Sequence, residues 1–169
     1  MDSGHPVVVC GRYEGPIRRA LLAFKQSGKR AYGRVLAELM ARAYETVRPL
    51  GGMPTVVEVP AVSSRQRYRG YNPAGVLADE LAHRLGLPRM RPLVCAGELP
   101  EQKGLSCVER RSNKLEGFRI MGSIRGPCLL VDDVVTTGTT AGHCLRLLQE
   151  KGAEPLAVLA LARSVRRAA

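Results

Sequence analysis

Apolar and polar positions along this chain come in blocks, and the period of the pattern switches between strand and helix values. Residues 7–10 are a short apolar run. Pro16 suits the first turn of a helix over 16–26, in which Ile17, Leu21 and Phe24 recur at helical spacing while Arg18, Arg19 and Lys25 lie elsewhere. Ser27-Gly28 breaks it, and a second helix is predicted over 31–47 with Val35, Leu36, Leu39, Met40, Ala43 and Val47 on one side. After a turn at 49–54, residues 55–59 form a β run ended by Pro60. An arginine-rich loop follows. Pro73 then opens a helix carrying Val76, Leu77, Leu81 and Leu85, its end marked by Gly86 and Pro88. A strand is expected at 91–95 and a loop at 97–105. Ser106 caps a helix reaching Lys114, with Glu109 completing a capping box, and 118–120 is a short strand or bend.

The sharpest stretch lies over 127–148. Cys128, Leu129, Leu130 and Val131 read as a buried strand that stops at two carboxylates, Asp132 and Asp133. A hydroxyl-rich loop at 136–140 leads to a helix whose Ala141, Cys144, Leu145 and Leu148 share one face. Gly152 falls just past its end, where a left-handed residue is expected. Residues 155–162 are a last buried strand, and Arg163, Arg166 and Arg167 belong to a basic tail. Strands alternating with helices predict an α/β fold with a mainly parallel central sheet and helices on both faces. Its crevice should lie at the carboxyl ends of the strands, where both Asp132 and Pro60 fall. The whole of 1–169 reads as a single domain, with 1–50 a helical part packed on it and 163–169 the tail.

The 169 residues suffice for one sizeable core, and a hydrophobic share of 45% excludes disorder. A net charge of +11 favours anionic ligands such as a polyphosphate, nucleic acid or an acidic protein surface, although solubility alone would also explain it. Aromatic residues are only 4%, so the stacking platforms of a plain single-stranded DNA binder are scarce. The five cysteines form no C-x-x-C pair, which argues against a disulfide framework and a zinc site; buried thiols in a reducing cytosol are expected. The start lacks a signal pattern, and the longest apolar run, 156–162, is too short to span a bilayer. A cytoplasmic protein without a membrane partner is therefore expected.

A strand, a tight loop and a helix start together make an anion site, because the first turn offers unpaired N–H groups and the positive end of the helix dipole. Gly138 lets the backbone approach a ligand, and the hydroxyls of Thr136, Thr137, Thr139 and Thr140 add donors. No lysine completes a Walker A loop here, and Ser27-Gly28-Lys29-Arg30 fails that pattern too. A bare phosphate site would avoid the two acids beside it. Vicinal ribose hydroxyls or a magnesium-bound polyphosphate would suit acceptor-only groups, and a 5-phosphorylated ribose fits both halves. The bland alternative is an Asp pair capping the helix and threonines filling a turn. His5, His83 and His143 read as surface or packing residues, and Ser63 and Ser64 lack a nucleophile elbow.

The run Leu129-Leu130-Val131-Asp132-Asp133-Val134-Val135-Thr136-Thr137-Gly138-Thr139-Thr140 resembles the signature with which type I phosphoribosyltransferases bind 5-phosphoribosyl-1-pyrophosphate, PRPP. Further pieces resemble the ComF (competence protein F) branch of that superfamily. They are Tyr13-Glu14-Gly15-Pro16 with Lys25 downstream, Val59-Pro60, Arg69-Gly70-Tyr71-Asn72, Gln102-Lys103-Gly104-Leu105, residues 110–113, and Leu161-Ala162-Arg163. The resemblance implies a type I phosphoribosyltransferase-like fold and a transferase that displaces pyrophosphate from PRPP. Asp132 and Asp133 would take the ribose as the catalytic acids, and residues 136–140 the 5-phosphate. Ser63, Ser64, Arg65, Arg67 and Arg69 would meet the pyrophosphate, and Gln102, Lys103, Arg110 and Arg111 would belong to a mobile cover. Mg2+ is implied as a cofactor carried by PRPP, not held directly by the protein. Many relatives carry an N-terminal four-cysteine zinc module; this chain is expected to lack one and to bind no zinc. Thr136 stands where 6-oxopurine transferases place an Asp base, which argues against a hypoxanthine or guanine acceptor. A rival reading is a PRPP-binding accessory factor without turnover, acting in DNA uptake with single-stranded DNA or DNA-uptake proteins as partners. The acceptor and the oligomeric state stay open.

Overall fold

The computed structural model describes residues 4–27, 30–47, 52–61, 70–95 and 117–164. Along them run β1 (Val7–Arg12), α1 (Gly15–Ser27), α2 (Arg30–Thr46), β2 (Thr55–Glu58), α3 (Pro73–Leu85) and β3 (Arg89–Met90), followed by β4 (Leu93–Cys95), β5 (Phe118–Ile120), β6 (Gly126–Val135), α4 (Thr139–Glu150) and β7 (Ala153–Arg163). Five strands form one sheet in the order β1-β7-β6-β2-β3, each neighbouring pair parallel. The predicted parallel sheet is thus present. β4 and β5 pair antiparallel in a separate ribbon.

A parallel sheet needs cover on both faces, and side-chain alternation along each strand supplies two cores. Val56, Leu129, Val131 and Leu159 face one way, against Leu21 and Phe24 of α1, Leu36 and Met40 of α2, and Leu77 and Leu81 of α3. Val57, Cys128, Leu130 and Val158 face the other way, against Cys144, Leu145 and Leu148 of α4 and against Leu93 and Phe118 of the ribbon. The helices flank both faces, as expected.

Local chemistry sets the ends of α3. The Asn72 side chain accepts from Ala74 N at 3.2 Å, Pro73 sits in the first turn, and Gly86 closes the helix at φ 63°. The orientation of α2 differs from the expected one. Leu36 and Met40 are buried, but Val35 (64% exposed), Leu39 and Val47 face outward, and the buried side is completed by Gly33, Ala37, Ala41 and Tyr44. Small residues decide this: a Cβ on Gly33 would lie 2.9 Å from Val76 Cγ1, so α2 packs closely on α3 through that side.

The strand expected at 91–95 is divided. Pro92 has no N–H to give to a ladder, so β3 ends before it and β4 begins after it in the ribbon. β3 brings Arg89 to Glu58, the buried acid of β2, at 2.5 Å and to Asp79 at 3.0 Å, while Arg91 meets Asp79 at 2.6 Å. The loop expected at 97–105 and the helix at 106–114 lie outside the described residues. Among the described residues no helix is long and apolar enough to cross a membrane.

Candidate functional site

The acids lie within a strand, not beyond its end. β6 continues to Val135, with Asp132 opposite Ala160, Val134 opposite Ala162 and Val135 opposite Arg163 of β7. This corrects the expectation that the strand stops at Asp132. The apolar run ends there, but backbone pairing to β7 carries the strand onward regardless of side-chain polarity. On the other flank β2 pairs only as far as Glu58 opposite Val131, with Val59 N donating to Val131 O at 2.8 Å. Asp132 and Pro60 therefore lie at the same end of adjacent strands, as the expected crevice requires.

Alternation separates the two carboxylates. Asp133 turns toward α1, where Lys25 Nζ lies 2.8 Å from its Oδ2 and the two side chains are 16% and 18% exposed. Asp132 turns toward α4, and its Oδ1 accepts the Asp133 N–H at 2.8 Å. Burial and then the neighbouring Asp133 charge push the Asp132 carboxyl up to about 7, against the pull of the Asp133 N–H, Lys25 and the Val134 N–H. The Cys144 thiol on α4 is pushed up to about 12, by burial and then by the Asp132 charge. Burial likewise raises Cys128 to about 12 and Cys10 to about 11, so these thiols are inert at neutral pH.

The threonine loop starts a helix without a side-chain cap. Gly138 is the N-cap at φ 77° and ψ 3°, a left-handed conformation costly for any residue with a Cβ. Gly142 N donates to Gly138 O at 2.8 Å, and helix geometry leaves the N–H groups of Thr139, Thr140 and Ala141 without acceptors inside the helix. Thr139 and Thr140 thus belong to the first helical turn and not to the loop. The Thr137 and Thr139 hydroxyl oxygens are 2.9 Å apart, and Thr136, Thr137, Thr139 and Thr140 are all exposed. Thr139 N reaches the Thr137 hydroxyl only at 3.5 Å, and donors at a positive helix end with no carboxylate to cap them suit an anion.

The arrangement also contains Lys25, which the sequence marks only as part of the family resemblance, with no role in the site assigned to it. The Tyr71 hydroxyl donates to the carbonyl of Phe24, the residue before Lys25, and Asn72 Nδ2 donates to Val59 O at 3.1 Å. Both residues belong to the Arg69-Gly70-Tyr71-Asn72 piece noted in the sequence, and the signal for Lys25 is its place downstream of Tyr13-Glu14-Gly15-Pro16. Ser63, Ser64, Arg65, Arg67, Arg69, Gln102, Lys103, Arg110 and Arg111 lie outside the described residues. His143 packs its ring near Phe118, centroids 6.2 Å apart, and its pKa is lowered by burial first and by Arg146 next. Among the described residues no group of three or more His, Cys, Asp or Glu side chains gathers to hold a metal ion.

Comparison with known proteins follows the same lines. No family model matches the chain. It is 31% identical over 166 residues to competence protein F of Haemophilus influenzae, covering 94% of this chain and 72% of that protein. It is 28% identical over 186 residues to the DNA utilization protein YhgH of Salmonella typhi, covering 98% of this chain and 82% of that protein. In structure it resembles the adenine phosphoribosyltransferase of Thermoanaerobacter pseudethanolicus, with a TM-score of 0.52 at 14% identity over 83% of this chain and 82% of that one. The parallel sheet is that of a type I phosphoribosyltransferase, and the chain belongs to the competence protein F family.

Proposed function

We propose that this protein binds PRPP and transfers its phosphoribosyl group to an acceptor, releasing pyrophosphate. The observation that carries this reading is the uncapped start of α4 at Gly138, ringed by exposed threonine hydroxyls and set beside two carboxylates on one strand. The first-turn N–H groups and Thr136, Thr137, Thr139 and Thr140 receive the 5-phosphate. Asp132 and Asp133 accept from the vicinal ribose hydroxyls, which holds C1 in line for displacement. Departure of pyrophosphate leaves positive charge on the ribose, an oxocarbenium-like state that nearby carboxylates stabilise. Magnesium carried by the substrate's pyrophosphate would supply positive charge to the leaving group, with Arg65, Arg67 and Arg69 meeting the rest of its charge.

Calorimetric titration with PRPP, with and without magnesium, tests the binding. Pyrophosphate release over a panel of nitrogen nucleophiles tests the transfer. Saturable PRPP binding without release in any member of the panel would favour a second reading, an accessory factor that senses PRPP while meeting single-stranded DNA or DNA-uptake proteins. That reading draws support from the net charge of +11 and from relatives named for competence and DNA utilization.

A further inference from the structure

A partly buried carboxylate beside a second carboxylate is costly to ionise unless a cation lies near. Asp132 and Asp133 are in that position. Among the described residues the cation that reaches them is Lys25, 2.8 Å from Asp133 Oδ2. The surrounding elements offer no substitute. α4 presents the Cys144 thiol, which burial and Asp132 keep protonated. β7 presents Ala160 and Ala162 opposite Asp132 and Val134, and the nearby Glu58 of β2 is committed to Arg89. Lys25 itself is not a free surface lysine. Its side chain is 16% exposed, and the residue before it is fixed by the Tyr71 hydroxyl on the Phe24 carbonyl at 2.5 Å.

We infer that Lys25 is a positioning residue of the acid pair, orienting Asp133 through their ion pair and setting positive charge beside both carboxylates so that they can accept ribose hydroxyls at neutral pH. The inference rests on the phosphoribosyl reading for its ligand, though not for its electrostatics. The acid on the α4 side, Asp132, has its carboxyl raised to about 7 and reports the effect. The sign follows from the pair itself. Lys25 pulls the pKa of Asp132 down, so its removal lets that carboxyl keep its proton to higher pH. A protonated carboxyl loses acceptor capacity toward a hydroxyl.

The test uses the whole chain, carboxyl-labelled at Asp with carbon-13, as wild type, Lys25→Met and Lys25→Arg. Without ligand, the Asp132 midpoint should rise by about one pH unit or more in Lys25→Met and return in Lys25→Arg. PRPP affinity of Lys25→Met should fall about tenfold at pH 7 and recover most of that loss by pH 9. The ligand's phosphates titrate alike in every variant, so a difference between variants belongs to the protein. A lysine that merely braces the fold would lower affinity equally at all pH values. Lys25→Gln gives the same readout should Met unsettle the fold. An unmoved carboxyl midpoint in a folded variant overturns the inference, whatever PRPP does. A moved midpoint in a protein whose wild type binds no PRPP upholds the lysine's hold on the acids and overturns the phosphoribosyl reading instead.

Discussion

The Tyr71 hydroxyl donates to the backbone carbonyl of Phe24 at 2.5 Å, and the two rings meet edge to face with centroids 5.9 Å apart. One side chain thus joins the start of α3 to the last turn of α1, one residue short of Lys25. Tyr71→Phe keeps the ring contact and deletes the hydroxyl. It should cost about 1 kcal/mol of stability, readable by urea unfolding. It should also weaken PRPP binding, because the lysine's stretch of helix loses its tether. In a double-mutant cycle with Lys25→Met the two losses should fall short of their sum. Fully additive losses would mean that Tyr71 and Lys25 act independently.

Substituting the two acids one at a time should move stability in opposite directions. The folded-state pKa of Asp132, about 7, lies above its ordinary value of 3.8, so the folded chain binds the extra proton and stability declines as pH rises through that window. Asp132→Asn removes this decline, and its melting temperature at pH 8 should exceed that of the wild type. Asp133→Asn leaves Lys25 mostly buried without its partner and should cost about 1–3 kcal/mol. Each variant should bind PRPP more weakly, and the double variant at least about tenfold more weakly, since charge-assisted acceptors are worth about 1.5–3 kcal/mol each. Thermal melts over pH 4–9 with and without PRPP read both effects. An Asp132→Asn protein less stable than wild type at pH 8 would contradict the electrostatic account.

Gly138→Val combines a left-handed backbone with a side chain at the mouth of the phosphate cradle. Melting temperature should fall, by strain of about 1–2 kcal/mol, and PRPP should no longer raise it. A ligand-induced shift of normal size would remove residues 136–140 from the phosphate site.

Arg65, Arg67 and Arg69 are assigned from sequence alone, and here the enzyme and nucleic-acid readings part. Changing all three to Gln should weaken PRPP binding strongly and alter single-stranded DNA affinity little. Were they a DNA face, the slope of log K against log salt would flatten by about 0.7 per lost phosphate contact. Measuring both ligands over one salt series decides the matter, and intact PRPP affinity beside a flattened DNA slope goes against the placement of this loop.

What the sequence made legible was local. Asn72, Pro73 and Gly86 mark the ends of α3 because caps act within a few residues. Ala141, Cys144, Leu145 and Leu148 name the buried face of α4 because that helix has one apolar side. In α2 the apolar arc is wider than the buried arc, so Val35 and Leu39 count as core by periodicity yet lie outside it. Asp132 looks like a strand terminator, and only the ladder to Ala160 and Ala162 shows otherwise. The ribbon of β4 and β5 and the pairing of Lys25 with Asp133 join residues far apart in the chain, and no window of sequence contains both partners.

β7 lies between β1 and β6, so the strand that opens the fold and the strand that bears the acids are joined only through residues 153–163. During synthesis β1 and β6 both leave the ribosome before the segment that pairs with each of them. Until that segment arrives, a nascent chain has an open apolar strand edge on each side of a gap. Such long-range parallel pairing forms slowly and leaves a chain exposed to misassembly and to chaperone capture. The ligand crevice is therefore a late product of folding, completed only when the middle of the sheet is filled.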